Sequence, residues 1–195
     1  MTSFPQLRHP LIDDALDLAA RWCEGHIIYE APALAHAVKV VVTLCDFIPN
    51  APGELVAAVF LHDAPSFVPD GVDLDSVLTR VVGPDVTRTV RALERVHAAS
   101  VANADPADPW TLQASVADML VDIDSVLRRS AFTTDPATFW ERHAPFVERL
   151  GYLRAYCDQA RPHLPSNMAG LFRALVILAA DSTTDYRQSV ARNSL

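Results

Sequence analysis

Apolar residues recur along most of the chain at intervals of three and four, which is the spacing of one face of an α-helix. In residues 11–23 an apolar stripe lies opposite an acidic face: Leu11, Ala15, Leu18, Ala19 and Trp22 against Asp13, Asp14 and Asp17. No segment of useful length alternates apolar and polar residues as a half-buried strand does. The pattern therefore predicts an all-α fold built as a single domain.

Proline and glycine divide this pattern into successive helices, since both residues interrupt or cap helices. We predict helices over 11–23, 33–48, 54–64, 74–82, 84–99, 110–130, 136–150, 151–161 and 166–180. Residues 66–73 and 101–109 contain Pro and Asp and are predicted to be loops. Segments 33–48 and 54–64 are almost wholly apolar, which is typical of helices at the centre of a bundle. Residues 181–195 are predicted to be a polar C-terminal tail.

Composition and charge narrow the classes of function. The 195 residues include 24 Asp and Glu against 16 Lys and Arg, a net charge of −8, and Lys39 is the one lysine. This balance disfavours nucleic acid or an anionic membrane as a partner, because both require a basic face. Cys23, Cys45 and Cys157 form no CxxC pair and are expected to be core thiols in a reducing cytoplasm. No signal peptide and no long apolar span is seen, so we predict a cytoplasmic protein.

Two histidines and two aspartates lie in surroundings too apolar for a solvated side chain. His62 and Asp63 follow a run of eight largely apolar residues. His36 lies within PALAHAVKVVV, and Asp118 lies within SVADMLVDIDSVL. Burying an imidazole and a carboxylate is costly unless they pair or bind a metal. The four side chains supply nitrogen and oxygen ligands that suit Mn²⁺, Fe²⁺ or Zn²⁺, whereas a purely structural explanation is a hydrogen-bonded core histidine.

Two further residues have alternative roles. Asp122 lies one helical turn after Asp118, so it either faces the same cavity and contacts substrate there or pairs with an arginine such as Arg128 or Arg129. His97 is the one histidine between Asp63 and Asp118. It lies near the end of its predicted helix, and a dinuclear oxidative site, which needs more histidines in this interval, is disfavoured.

The order and flanking sequences of these residues resemble the HD superfamily of metal-dependent phosphohydrolases, whose pattern is H…HD…D on a helical bundle. They are most similar to the hydrolase domain of RelA/SpoT-type alarmone enzymes over about residues 15–155. The similar segments are PALAH to His36, LVAAVFLHD to Asp63, VGPDV over 82–86, VAD to Asp118 and FVERLGY over 146–152. The resemblance implies an HD-type domain over residues 1–180. It also implies a divalent metal, Mn²⁺ above Fe²⁺ or Zn²⁺, held by His36, His62, Asp63 and Asp118.

The chain departs from that family where the chemistry is concentrated. A Glu-Asp pair that follows the HD dipeptide in the hydrolases is replaced by Ser66 and Phe67, so no catalytic residue is assigned. Basic residues expected before the first ligand are replaced by Ile-Ile-Tyr-Glu at 27–30, and Asp122 and Asp124 replace an Asn and an Arg. Each change removes positive charge or adds negative charge. The resemblance therefore predicts an altered pocket that favours a substrate less charged than a guanosine polyphosphate.

Three functions are compatible with these residues. The first is a metal-dependent phosphohydrolase that acts on a nucleotide or another phosphorylated small molecule, using a metal that polarises phosphate and lowers the pKa of water. The second is a regulatory HD protein that binds metal and ligand but has lost efficient hydrolysis, as Ser66 and Phe67 indicate. The third is a helical structural protein without metal.

Overall fold

Helices make up nearly all of the chain that the computed structural model describes, which is residues 9–28, 30–98 and 108–193. They are α1 (Pro10–Trp22), α2 (Ala33–Phe47), α3 (Gly53–Phe60), α4 (Ala64–Phe67), α5 (Leu74–Val82), α6 (Pro84–Ala98), α7 (Pro109–Phe132), α8 (Pro136–Arg142), α9 (Ala144–Glu148), α10 (Leu150–Ala160), α11 (Ser166–Ser182) and α12 (Thr184–Asn193), with a 3₁₀ turn at Arg161–His163. The all-α prediction is confirmed. Most of the predicted loop 101–109 lies outside the described residues.

The long helix α7 is the centre of the bundle. It packs against α2, α6 and α11 and also contacts α3. Every residue of α3 from Leu55 to Phe60 is buried, as its apolar sequence predicts. Helix α2 is different, because Val38 and Val42 are exposed and only one face of the helix meets the core. No helix in the described part has the length and hydropathy needed to cross a membrane.

A two-stranded antiparallel pair precedes α2. Strand β1 (Ile27–Ile28) pairs with β2 (Ala31–Pro32), with Ile27 opposite Pro32. The turn between them includes Glu30 at a φ of 66°, a conformation that few non-glycine residues adopt. Strands of two residues are too short to produce a periodic pattern, which is why the sequence predicts no strand here.

Several boundaries differ from the sequence prediction. The predicted helix 136–150 is interrupted at His143 and again at Arg149, and the predicted loop 66–73 begins within α4. Helix α3 ends at Phe60, so His62 and Asp63 lie in the turn between α3 and α4 and not on one continuous helix. At the other end of the described chain, α11 continues to Ser182 and α12 follows it over Thr184–Asn193, so most of the polar residues over 181–193 are helical. The helical pattern of α12 is weak because so few of its residues are apolar, and the predicted tail reflects that composition.

The junction between α5 and α6 depends on a backbone conformation that only glycine adopts readily. Gly83 ends α5 at φ 88° and ψ 167°, and a Cβ added there would meet no atom within 4 Å. We therefore expect Gly83→Ala to lower the free energy of unfolding by about 1–3 kcal/mol through backbone strain alone. Gly151 lies inside α10 with equal space around it, so Gly151→Ala should raise stability by about 0.5–1 kcal/mol. Urea unfolding of both variants checks the opposite signs.

Tyr156 makes the stability of the bundle sensitive to alkaline pH. Its side chain is fully buried, and its hydroxyl contacts Ser115, whose own hydroxyl donates to the Leu112 carbonyl. Burial raises the pKa of Tyr156 to about 12. The folded pKa lies above the ordinary value of 10, so folding favours the neutral phenol. The stability that the neutral phenol provides is complete below pH 10 and is lost as pH rises toward 12.

The comparison of wild type with Tyr156→Phe tests this linkage. Between pH 9 and pH 11 the free energy of unfolding should fall by about 1 kcal/mol more in wild type than in the variant, because the variant has no phenol to ionise. At pH 8 the variant should be less stable by about 1 kcal/mol, the value of the lost hydrogen bond. Parallel pH curves for the two proteins would contradict the prediction.

Candidate functional site

The packing of α2 on α7 brings His36 and Asp118 together at the centre of the molecule. His36 lies in the first turn of α2, and Asp118 lies midway along α7. His36 Nε2 is 2.9 Å from Asp118 Oδ1, and both side chains are buried. The two residues are 82 positions apart in the sequence, so only the bundle makes them neighbours.

His62 joins them from the turn after α3, and its orientation is set by the end of that helix. The last carbonyls of a helix have no partner within the helix. The His62 Nδ1–H donates to one of them, the carbonyl of Val59, at 2.7 Å. With its hydrogen on Nδ1, the neutral ring presents the lone pair of Nε2, which lies 3.4 Å from Asp118 Oδ1. A backbone hydrogen bond that fixes the tautomer in this way is the usual support of a metal-ligating histidine.

Asp63, the residue after His62, approaches the same point. It precedes α4 at the N-cap position, but its carboxylate makes no capping hydrogen bond. Instead, Asp63 Oδ2 lies 3.1 Å from His62 Nε2 and 3.9 Å from His36 Nε2. The structure thus brings together all four residues that the sequence predicts as ligands.

The charges of this cluster are strongly coupled. Burial disfavours the imidazolium form of His62, but the neighbouring carboxylates of Asp63 and Asp118 outweigh burial and raise the His62 pKa well above its ordinary value. Burial likewise opposes ionisation of Asp118, yet its contacts with His36, His62 and His97 hold its pKa well below the usual range. The pKa of Asp63 is lowered in the same way, chiefly by His62 acting against burial. The site is therefore built to hold positive charge against two carboxylates.

Asp122 faces the cluster, and the positive charge of Arg149 also acts on its carboxylate. Its Oδ1 lies 3.9 Å from His36 Nδ1. Burial, followed by the negative charges of Asp118 and Asp63, raises the pKa of Asp122 well above its ordinary value. Arg128 pairs with Asp124 instead, with Nε 2.8 Å from a carboxylate oxygen, and Lys39 approaches the same carboxylate at 3.4 Å.

His97 is a residue of this site that the sequence argument left outside it. It lies in the last turn of α6, and its Nε2 is 3.1 Å from Asp118 Oδ2. Its ring stands edge-on to the ring of His62, with the ring centroids 5.7 Å apart. His97 lies near a helix end, and α6 packs on both α3 and α7, which turns this end toward the cluster.

The donor atoms of the cluster fit a divalent cation. His36, His62 and Asp118 each offer a ligand atom within 4.8 Å of the others. Four buried atoms around them form no hydrogen bond with any described residue: His62 Nε2, Asp63 Oδ2, His97 Nε2 and Asp122 Oδ1. Buried polar atoms in folded proteins are rarely left unsatisfied without a functional reason. Imidazole nitrogens and carboxylate oxygens at these separations suit Mn²⁺, Fe²⁺ or Zn²⁺ and do not discriminate among them.

The cluster lies against a cavity of about 660 Å³, a size typical of small-molecule sites. Ile27 and Ile28 of β1 form part of its wall, together with Ser66 and Phe67 of α4. The Phe67 ring stacks on His26 with centroids 4.4 Å apart. The residues that stand where the resemblance places an acidic pair are therefore at the site, but they present a hydroxyl and an aromatic ring to it.

The cavity wall also carries positive charge from segments that the sequence pattern did not connect with the site. Arg142, His143 and Arg149, from α8 to the start of α10, line the same cavity. Neither arginine forms an ion pair with a carboxylate within the described ranges, and the Arg149 guanidinium lies 5.7 Å from the centre of the Tyr152 ring. His143 is half-buried, stacks on Phe139 and donates to its carbonyl. In the sequence, the one sign that Arg149 belongs to the site is its place in the FVERLGY segment, which resembles the alarmone hydrolases.

Comparison with known proteins supports the fold. No family model matches the chain, and no curated protein matches it. Among solved structures, the chain is similar to a metazoan ortholog of SpoT, described as hydrolysing ppGpp and playing a role in starvation responses. The two chains are 19% identical with a TM-score of 0.65, and the match covers 89% of this chain and 96% of the other. At this identity the likeness establishes the fold, and the expected HD-type helical bundle is confirmed.

Proposed function

We propose that this protein is a metal-dependent phosphohydrolase of HD type that acts on a nucleotide or another phosphorylated small molecule. The observation that carries the proposal is the convergence of His36, His62, Asp63 and Asp118 on one point at the wall of a cavity. We assign these four side chains to one divalent ion, Mn²⁺ in the first instance. An ion held there supplies Lewis-acid polarisation of a phosphoryl oxygen and lowers the pKa of water.

The distribution of charge within the cavity supports a phosphorylated ligand. Asp63, Asp118 and Asp122 lie on one side, where only a cation or a cation-bound phosphate is stable. Arg142 and Arg149 line the same cavity, and the charge of Arg149 acts on the carboxylate of Asp122. Planar guanidinium groups bind phosphate oxygens in pairs, so this wall can hold an anionic group of the substrate. These arginines supply positive charge that residues 27–30 and Asp122 do not.

The protein's own groups divide the remaining tasks. The apolar residues Ile28 and Phe146 line part of the cavity and offer a surface to the uncharged portion of a ligand. His62 is held in one tautomer by the Val59 carbonyl. Because Ser66 and Phe67 replace the acidic pair, no carboxylate of α4 is available to position a nucleophilic water.

That replacement also supports a second candidate, a ligand-binding HD protein without efficient hydrolysis. Phe67 cannot transfer a proton, and its stacking on His26 makes it part of the cavity wall. A protein of this second kind would bind the metal and the phosphorylated ligand but would release no phosphate. A screen of phosphate release with Mn²⁺ and a panel of nucleotides, including ppGpp, separates the two candidates.

We predict that His62→Ala and Asp63→Asn each weaken Mn²⁺ binding by more than about 100-fold, which exceeds the loss typical of an outer-sphere partner. Asp63→Asn is the cleaner test, because Asp63 caps no helix while His62 supports the end of α3. Titration calorimetry with Mn²⁺ provides the affinity, and circular dichroism checks the fold. His163→Ala, at an exposed position in the 3₁₀ turn, is the control and should bind like wild type. Metal binding retained in Asp63→Asn would remove that ligand from the site.

We predict that Arg149→Gln weakens the binding of a nucleoside diphosphate to the Mn²⁺-loaded protein by about 10-fold or more, the value of a charge-assisted hydrogen bond. Arg154→Gln removes the same charge from an exposed position on α10, outside the cavity, and should change the affinity less than 2-fold. Ligand-induced shifts of Tm measure both variants, whether or not hydrolysis occurs. Equal losses in the two variants would indicate a general effect of net charge and would exclude a specific phosphate contact.

A further inference from the structure

The two oxygens of Asp118 face different partners. Oδ1 lies 2.9 Å from His36 Nε2 and 3.4 Å from His62 Nε2, so it is the oxygen directed at the proposed ion. Oδ2 lies 3.1 Å from His97 Nε2. A carboxylate that coordinates through one oxygen can rotate about its Cβ–Cγ bond unless the other oxygen is held. The contact with His97 is the feature of this site that can hold it.

Burial gives that contact its importance. Asp118 is 7% exposed, and His97 Nε2 is buried without a hydrogen bond to any described residue. The 3.1 Å separation is within hydrogen-bond range, so a modest rotation of either group completes the bond. His36 and His62 approach Oδ1 of Asp118, whereas His97 approaches Oδ2.

We propose that His97 is a positioning residue, whose Nε2–H holds Asp118 Oδ2 so that Oδ1 faces the divalent ion. This inference rests on the metal centre of the proposed function but not on hydrolysis. Groups that hydrogen-bond to a coordinating side chain raise metal affinity about 10–100-fold by restricting its orientation. An apolar residue at position 97 leaves Oδ2 buried without a donor, whereas a glutamine places an N–H donor at a similar distance.

The first test compares Mn²⁺ affinity in three variants of the full chain. His97→Leu should weaken binding by about 10–100-fold, and His97→Gln should recover most of that loss because it restores a donor to Oδ2. His163→Leu removes an exposed histidine outside the cavity and should not change the affinity. An unchanged affinity in His97→Leu, or an equal loss in the leucine and glutamine variants, would overturn the proposal.

The second test identifies direct coordination. Pulsed electron paramagnetic resonance of the Mn²⁺-loaded protein counts the imidazole nitrogens bound to the ion. The proposal expects two, from His36 and His62, both in wild type and in His97→Gln. A count of three in wild type that falls to two in His97→Gln would make His97 a ligand and would refute a positioning role.

A double-mutant cycle in metal-free protein separates this proposal from the proposed function. His97→Leu, Asp118→Asn and the double variant are unfolded in urea without divalent ions. If the two residues interact, the double variant should differ from the sum of the single changes by a factor of about 3 or more in the unfolding equilibrium constant. Additive effects would refute the contact. A wild type that binds no divalent ion would refute the proposed function, while the cycle would still report on the contact.

Discussion

The buried carboxylate of Asp118 is the group on which the organisation of this molecule depends. It contacts imidazoles that come from α2, from the turn after α3 and from α6, at 2.9, 3.4 and 3.1 Å. An isolated carboxylate at this depth would not remain ionised, because removing its charge from water costs several kcal/mol even after the protein relaxes. The three histidines stabilise the charge. Their contacts require α2, α3 and α6 to pack on α7 at the position of Asp118.

The buried charges of this cluster are not needed to stabilise the fold, which indicates that they serve a function. A core of hydrophobic side chains would hold the helices together without any of these charges, and replacing buried ion pairs with apolar residues is often neutral or stabilising. The cluster instead leaves His62 Nε2, Asp63 Oδ2, His97 Nε2 and Asp122 Oδ1 without hydrogen bonds in the described chain. Buried donors and acceptors without partners are costly in a purely structural core. Their concentration beside one cavity favours a cation as the missing partner.

The net charge of −8 does not indicate the charge of the cavity. Taken with the substitutions at 27–30, Asp122 and Asp124, it indicated a cavity unfavourable to anions. In the structure Asp124 lies outside the cavity and pairs with Arg128 and Lys39. Arg142 and Arg149, which lie later in the chain, line the cavity instead. Surface acidity and cavity charge are therefore independent here, since a cavity wall is assembled from segments far apart in the sequence.

Most of the helices and the four candidate ligands could be read from the amino-acid sequence. The spacing of apolar residues repeats every turn, and burial in an apolar run marks His36, His62 and Asp118, because both signals are local. The sequence did not determine the end of α3 before His62, since helix ends depend on capping contacts such as that between His62 and Val59. The packing of the helices was needed to show that His97, Asp122 and Arg149 line one cavity. Each of these residues has ordinary neighbours in the sequence, and its partners come from helices that only packing brings near.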